Sequence, residues 1–313
     1  MRPILKTNDP VLLGFAQSLL SAAQIESVVF DENASVMDGS LGILPRRLMV
    51  ADGDFAPAQA ILREGLEQVE APPEITEDRF LDGRVLVSQR KDGFRAGLDA
   101  VMLAAAVPAQ SGDEVLELGS GAGTASLCLA ARVAGVRVTG AEIESDLVTL
   151  ANRNATANGM GERVVFVTVD ALELPADMKR DYAHVLCNPP FHGGGQSPDE
   201  MRAGATHDDG ALAEWLAVGV RRTVPGGTFT CILRADRMGE ALGALPDTGV
   251  SAFPLHPRAG EAAKRVILQV RKASRAPFAM RHGLVLHNAD GSYTPEADAV
   301  LRGEAGLKNV AQV

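Results

Sequence analysis

Apolar positions along the chain follow two rhythms. Over residues 1–68 the runs are short: 2–6 reads as a strand, and 10–23 has helical spacing with Asn8 or Asp9 as its cap. Residues 26–30 and 47–50 read as strands joined by the turn-rich stretch 31–42, and 55–66 reads as a second helix. That β-α-β-β-α order predicts a small α+β, ferredoxin-like domain. Residues 69–78 are polar and carry two prolines, which predicts a linker. From 79 to 313 the rhythm changes. A hairpin over 80–81 and 85–88 turns on Asp82-Gly83, and a helix follows over 98–107. Strands at 114–118, 137–141, 164–169, 183–187 and 228–233 then alternate with helices at 124–133, 145–158, 211–223 and 236–245. Such alternation predicts an α/β domain with a mostly parallel sheet covered on both faces. Residues 251–255 and 265–271 read as consecutive strands, an antiparallel pair closing one sheet edge.

At 313 residues, length agrees with two domains, and 46% hydrophobic residues supply ample core. No apolar run reaches the roughly 18 residues needed to span a bilayer, and the N-terminus lacks signal-peptide features. Cys128, Cys187 and Cys231 lie far apart in apolar runs, which predicts buried reduced thiols in a cytoplasmic protein with no metal site. The net charge of −10 is unevenly spread. Residues 1–72 carry five basic and ten acidic side chains. Residues 254–282 carry seven basic side chains against one acidic. Polyanion binding depends on local field, so Lys264, Arg265, Arg271 and Lys272 are candidate RNA contacts.

The chemistry concentrates at strand ends. Gly119, Gly121 and Gly123 follow an apolar strand and open a helix, so the backbone can turn tightly and approach a ligand. The dinucleotide fingerprint needs its third glycine where Thr124 stands, and no phosphate-cradling Lys-Ser/Thr pair follows. Glu117, immediately before the loop, would repel a pyrophosphate but is tolerable beside a sulfonium cation. S-adenosylmethionine is therefore the expected cofactor. Glu142, ending the next strand, can accept both ribose hydroxyls, and Asp170, ending the third, can accept from the adenine amino group.

A fourth strand runs into Asn188-Pro189-Pro190-Phe191, 69 residues past Gly119. An exocyclic amine is a poor nucleophile because its lone pair is delocalised. The Asn188 side-chain oxygen and the Pro189 carbonyl can each accept one amine proton, favouring pyramidal nitrogen against fixed dipoles. The prolines stiffen the turn, and Phe191 offers a stacking face. His192 beside three glycines reads as a loop residue rather than a base.

With these residues in view, the stretch from Phe80 onward resembles the bacterial tRNA adenine-N6 methyltransferases that modify the adenosine beside the anticodon of valine tRNA. The matching pieces are Phe94-Arg95-Ala96-Gly97-Leu98-Asp99-Ala100-Val101-Met102-Leu103, the segment Leu116 to Gly123, Asn188 to Phe191, Lys264-Arg265-Val266-Ile267 and Tyr293-Thr294. The resemblance implies a Rossmann-like class I methyltransferase sheet and methyl transfer to an adenine of RNA, most readily tRNA. It also implies that Arg95, Gly97 and Asp99 belong to the cofactor site. Residues 1–68 resemble a small domain of unknown function described as signal-transducing. Asn-Pro-Pro-Phe-His is also the form seen in rRNA guanine-N2 methyltransferases, which leaves a guanine target open. A protein glutamine methyltransferase would carry a Pro-Arg-Pro segment that this chain lacks. A non-catalytic cofactor sensor would not need the Asn188 turn.

Overall fold

Short β-branched runs bounded by glycine or polar turns make the strands of this chain, and the helices between them decide how those strands pair. The computed structural model describes residues 1–7, 10–30, 46–69, 74–190, 211–307 and 310. It divides into two compact units, Met1–Pro73 and Glu74–Val313.

The first unit contains β1 (Arg2–Thr7), α1 (Pro10–Ala22), β2 (Ser27–Phe30), β3 (Arg46–Val50) and α2 (Phe55–Val69). Its strands form an antiparallel sheet in the order β1-β3-β2, the ferredoxin-like half expected from the element order. Leu48 and Val50 point inward, against Leu13, Ala16 and Leu20 of α1 and Ala58 and Leu62 of α2. Asn8, Asp9 and the stretch 31–42 lie outside the described residues.

The second unit opens with the hairpin β4 (Ile75–Phe80) and β5 (Val85–Arg90), whose turn takes Leu81, Asp82 and Gly83 through positive φ. Strand β4 thus begins inside the polar stretch read as linker. Ile75, Glu77 and Arg79 face outward, Thr76, Asp78 and Phe80 are half-buried, and the backbone pairs with β5. After α3 (Leu98–Ala106) come β6 (Glu114–Leu118), α4 (Thr124–Arg132), β7 (Arg137–Glu142), α5 (Ser145–Ala157), β8 (Val164–Thr168) and β9 (Tyr182–Cys187). Then follow α6 (Ala211–Arg221), β10 (Thr223–Arg234), α7 (Met238–Ala244), β11 (Val250–Arg258) and β12 (Arg265–Arg271). The short β13 (Ala279–Met280), β14 (Leu284–His287) and α8 (Pro295–Leu301) end the unit.

The main sheet has the order β13-β11-β12-β10-β9-β6-β7-β8, with β14 also on β11. From β10 to β8 the strands are parallel; β12 runs antiparallel to both β10 and β11. The antiparallel pair was expected to close the edge. Instead β13 and β14 extend the sheet beyond β11, running parallel to it. Two- and four-residue strands carry too little apolar pattern to be legible. Successive residues of β6 and β9 alternate between two cores, one on each face: Val115 and Leu186 face one, Leu116 and Val185 the other.

The β4–β5 hairpin hydrogen-bonds to side chains of the last turn of α5 and its C-cap. Asn154 and Asn158, one turn apart, use their amides as a strand would. Asn154 accepts from the Ser88 N–H (2.9 Å) and donates to the Ser88 carbonyl (3.0 Å). Asn158 does the same for Leu86, at 2.9 and 2.7 Å.

Candidate active site

Chain direction picks the site. From β6 the chain moves outward through β7 and β8, then returns to β9 on the other side of β6 and continues to β10. That reversal opens a crevice at the carboxyl ends of β6 and β9, where open α/β sheets bind ligands. Leu118 pairs with Cys187 across those strands, so the next residues, Gly119 and Asn188, leave the sheet side by side. Ala141 pairs with Leu118, which brings Glu142 to the same edge.

The loop after β6 is held by its own backbone. Gly119 and Ser120 donate to the Ala141 carbonyl at 2.9 and 3.1 Å, and Gly123 donates to the Ser120 carbonyl at 2.9 Å. Gly119, Gly121 and Gly123 all have positive φ. Their surroundings differ. A Cβ on Gly123 would stand 2.5 Å from the Phe166 ring, and one on Gly119 2.9 Å from Trp215 of α6. A Cβ on Gly121 would meet nothing within 4 Å, so this glycine faces open space. Asn154 also donates to the Ala122 carbonyl at 3.0 Å, tying the loop to α5.

Glu142 is 8% exposed, and its carboxylate accepts from the backbone N–H groups of Gly121 (2.8 Å), Ile143 (2.8 Å) and Glu144 (3.0 Å). A carboxylate offers about four acceptor positions, so these bonds leave room for one further donor, not for two ribose hydroxyls. Beside it, Ile143 is an apolar side chain 65% exposed, a feature that sequence reading missed because one isoleucine at a strand end carries no period. Asp170 is exposed and accepts from the Leu172 N–H at 2.8 Å.

Glu117 does not face the crevice as an acid before the loop was expected to. It is 3% exposed, and its carboxyl is committed to the N–H and hydroxyl of Ser126 in the first turn of α4. Burial, opposed in part by those bonds, pushes its pKa up to about 8. At neutral pH it is mostly uncharged and faces inward, so it does not offer a carboxylate to a sulfonium. An acid inside a strand shows no sign of which face it takes until its neighbours pack.

Before α3, Arg95, Gly97 and Asp99 form a frame. Arg95 pairs with Asp78 of β4 at 2.6 Å, and Gly97 is the residue before the helix. Asp99 pairs with Arg265 at 2.7 Å. Gln89, 2% exposed, donates to Asp78 and to the Ala96 carbonyl and accepts from the Ala96 N–H. Arg90 pairs with Glu144 and Asp146. The β4–β5 hairpin therefore fastens the turn before α3 and the loop after β7. Only tertiary contact reveals this role of Gln89 and Asn154.

Asn188 is half-buried, Pro189 buried and Pro190 exposed. The Asn188 side-chain oxygen is buried and accepts no hydrogen bond among the described residues; the hydroxyls of Ser120 and Thr124 are likewise unpartnered. Buried polar atoms are nearly always satisfied, so the oxygen of Asn188, which leaves the sheet beside Gly119, is the orphan that suits a polar ligand at this crevice; the Ser120 hydroxyl packs against Gly140 of β7. Phe191 and His192 lie outside the described residues.

The four candidate RNA contacts do not form one patch. Strand β12 pairs Arg265 with Arg234 at the carboxyl end of β10 and Arg271 with Thr228 near its start. Lys264 and Arg265 therefore stand at the crevice edge. Arg271 and Lys272 stand at the opposite edge, about 20 Å away for six strand steps. Lys272 spends its ammonium on the carbonyls of Arg221 and Thr223 (2.9 and 2.6 Å). Sequence proximity suggested one basic surface, and an extended strand separates its ends.

A parallel sheet reversing beside β6, a glycine loop, a carboxylate on the next strand and an orphaned asparagine oxygen define a class I methyltransferase with S-adenosylmethionine as cofactor. Comparison with known proteins narrows the class. Residues 96–207 match the Methyltransferase small domain family, and residues 1–65 match DUF2007, described as a prokaryotic signal transducing protein. A tRNA1(Val) (adenine(37)-N6)-methyltransferase of Aeromonas hydrophila is 30% identical over 214 residues, covering 66% of this chain and 89% of that protein. The enzyme of the same name from Yersinia enterocolitica is 24% identical over 242 residues, covering 75% and 95%. Among solved structures, a predicted O-methyltransferase of Agrobacterium tumefaciens superposes with TM-score 0.58 at 26% identity, over 68% of this chain and all of that one. A Thermus thermophilus 16S rRNA N2 methyltransferase, solved with S-adenosylmethionine and guanosine, gives TM-score 0.50 at 19% identity, over 83% of this chain and 60% of that one. The chain belongs to the tRNA1(Val) (adenine(37)-N6)-methyltransferase family.

Proposed function

We propose that this protein methylates the exocyclic N6 amine of an adenine in tRNA, in the cytoplasm, with Asn188 as the residue that receives the amine. The observation that carries this reading is the buried, unpartnered Asn188 oxygen beside the glycine loop.

The residues fit the cofactor. The open space at Gly121 admits close approach to the backbone. Glu142 has an acceptor position left for one ribose hydroxyl while it still grips the loop. Ile143 gives a purine an apolar face, and Asp170 lies exposed at the end of β8 for an amino group. When bound there, S-adenosylmethionine supplies an electrophilic methyl group. The chain's own work is on the acceptor. The Asn188 oxygen and the Pro189 carbonyl each take one amine N–H, which turns the nitrogen lone pair out of the ring's conjugation. Both are fixed dipoles, so little reorganisation is required as positive charge develops on nitrogen. No strong base is needed, because the alkylated nitrogen loses its proton readily. Phe191 would stack on the ring. Lys264, at the crevice edge, is the basic residue best placed to meet a backbone phosphate.

The test is nucleoside mass spectrometry of tRNA incubated with the purified protein and labelled cofactor. Labelled N6-methyladenosine is the expected product. N2-methylguanosine in its place, or label in no nucleoside, would overturn the reading.

A further inference from the structure

Phe94 is 69% exposed, more than any other large apolar side chain described. It stands in the turn between β5 and α3, and that turn is held on both sides. Lys91 N–H donates to the Glu74 carbonyl at 2.7 Å. Ala96 exchanges two hydrogen bonds with the Gln89 amide, at 2.8 and 3.1 Å. Arg95 pairs with Asp78. A glutamine 2% exposed whose amide is shared between this turn and Asp78 of β4 indicates a turn whose shape matters, because burying an amide costs free energy that only complete hydrogen bonding offsets.

The turn lies on the rim of the crevice. Arg90, one residue before it, pairs with Glu144 and Asp146, which follow Glu142 at the carboxyl edge of the sheet. Just beyond the turn, Asp99 meets Arg265 on the same edge. The turn's cations are already neutralised: Arg90 by Glu144 and Asp146, Lys91 by Glu74 and Arg95 by Asp78. Asp92, in the same turn, is exposed and acidic, so the turn offers no positive field to a phosphate. The apolar group it presents to solvent is an aromatic face on a rigid support.

We propose that Phe94 is a base-stacking residue that receives an unpaired nucleobase flanking the target adenine, and so helps choose a single-stranded RNA loop over a duplex. A stacked duplex does not offer a base face sideways, whereas a loop does. Stacking is tolerant of base identity, so Phe94 selects exposed bases rather than a sequence. The inference rests on the RNA reading above and adds a contact that the Asn188 turn does not supply.

Phe94→Ala and Phe94→Trp in the full-length protein test it. Anisotropy with a labelled anticodon stem-loop reads RNA affinity, calorimetry reads cofactor affinity, and initial rates separate KM from kcat. Phe94→Ala is expected to weaken RNA binding and raise the RNA KM by about ten-fold or more, as for loss of one stacked base. Cofactor affinity and thermal midpoint should stay near the parent, and Phe94→Trp should restore RNA affinity to within about two-fold. Unchanged RNA affinity in Phe94→Ala, with an active parent enzyme, overturns this inference and leaves the proposed activity standing. Loss of cofactor affinity instead would make Phe94 a cofactor cover and also overturn it. A parent protein that neither binds nor methylates RNA defeats the proposed function first, and this inference with it.

Discussion

The two ends of strand β9 treat their polar side chains in opposite ways. Near its start, His184 is 8% exposed and fully partnered: Nδ1 lies 2.8 Å from the Thr228 hydroxyl and Nε2 lies 3.2 Å from the Asp113 carboxylate. An ionised carboxylate only accepts, so Nε2 carries the proton, and Nδ1 accepts from Thr228. At the far end, Asn188 keeps a buried oxygen with no partner among the described residues. The same strand thus closes one polar cluster and leaves another open. An Asp–His–Thr arrangement resembles a nucleophile relay when read as a list of residues. Its saturation and burial at the wrong edge of the sheet make it a structural joint. On the proposed function, the unsatisfied group, not the satisfied one, marks the chemistry.

Exchanging the two ends by mutation is the strongest challenge to this contrast. Asn188→Ala should lower turnover by about 100-fold or more while leaving thermal stability and cofactor affinity near the parent. His184→Ala should do the reverse, losing about 1–3 kcal/mol of unfolding free energy as Asp113 and Thr228 lose their partner, with turnover of the folded fraction retained. Urea denaturation beside initial rates reads both. A stable, inactive His184→Ala would move the chemistry to the other edge.

The glycines sharpen the contrast within the open end. Gly123→Ala puts a methyl 2.5 Å from Phe166 at φ 87° and should cost about 2–4 kcal/mol of stability. Gly121→Ala meets no atom and should cost only about 1–2 kcal/mol in backbone strain. Its cofactor affinity should nonetheless fall, because the proposed cofactor site uses that open space. Equal cofactor affinity in Gly121→Ala and the parent, by calorimetry, would remove Gly121 from the site.

Two buried titrations should tilt stability in opposite directions. Glu117 has its folded pKa raised from 4.5 to about 8 by burial, so the folded state holds its proton longer than the unfolded chain. Its contribution therefore falls as pH rises between about 4.5 and 8, by up to about 5 kcal/mol in total. Glu117→Gln should remove that slope and be relatively more stable at pH 8. His184 has its pKa lowered, chiefly by burial and against the pull of Asp113. The unfolded chain then binds more protons below the ordinary 6.5, and stability falls as pH drops from there. His184→Gln should flatten the acid side only. Identical pH–stability curves for either variant and the parent would contradict that assignment.

The smallest expected effect separates the two ends of β12. Lys264→Glu, at the crevice edge, should raise the RNA KM a few-fold and reduce the salt slope by about one unit. Lys272→Ala, at the opposite edge, should leave the salt slope unchanged and instead lower the thermal midpoint slightly, as two carbonyls lose a donor. Equal salt slopes for Lys264→Glu and the parent would place the RNA surface elsewhere.

Local pattern carried a large part of this protein. Alternating strands and helices specified a parallel sheet, because a strand covered on both faces must be followed by a helix that crosses back over it. The positions of Gly119, Glu142, Asp170 and Asn188 at successive strand ends then followed, since parallel strands all end at one edge. Tertiary packing decided what those groups do. It turned Glu117 inward to Ser126, and it used three backbone N–H groups to occupy most of Glu142. It also drew Arg265 to Asp99 and sent Lys272 to the far edge. It placed Gln89 under the turn of Phe94, and Asn154 of α5 with its C-cap Asn158 beside β5. Sequence period tells which residues share a face of one element, because that depends on backbone geometry alone. Which partner a polar side chain finds depends on elements dozens of residues away, and only the assembled sheet brings those into hydrogen-bonding distance.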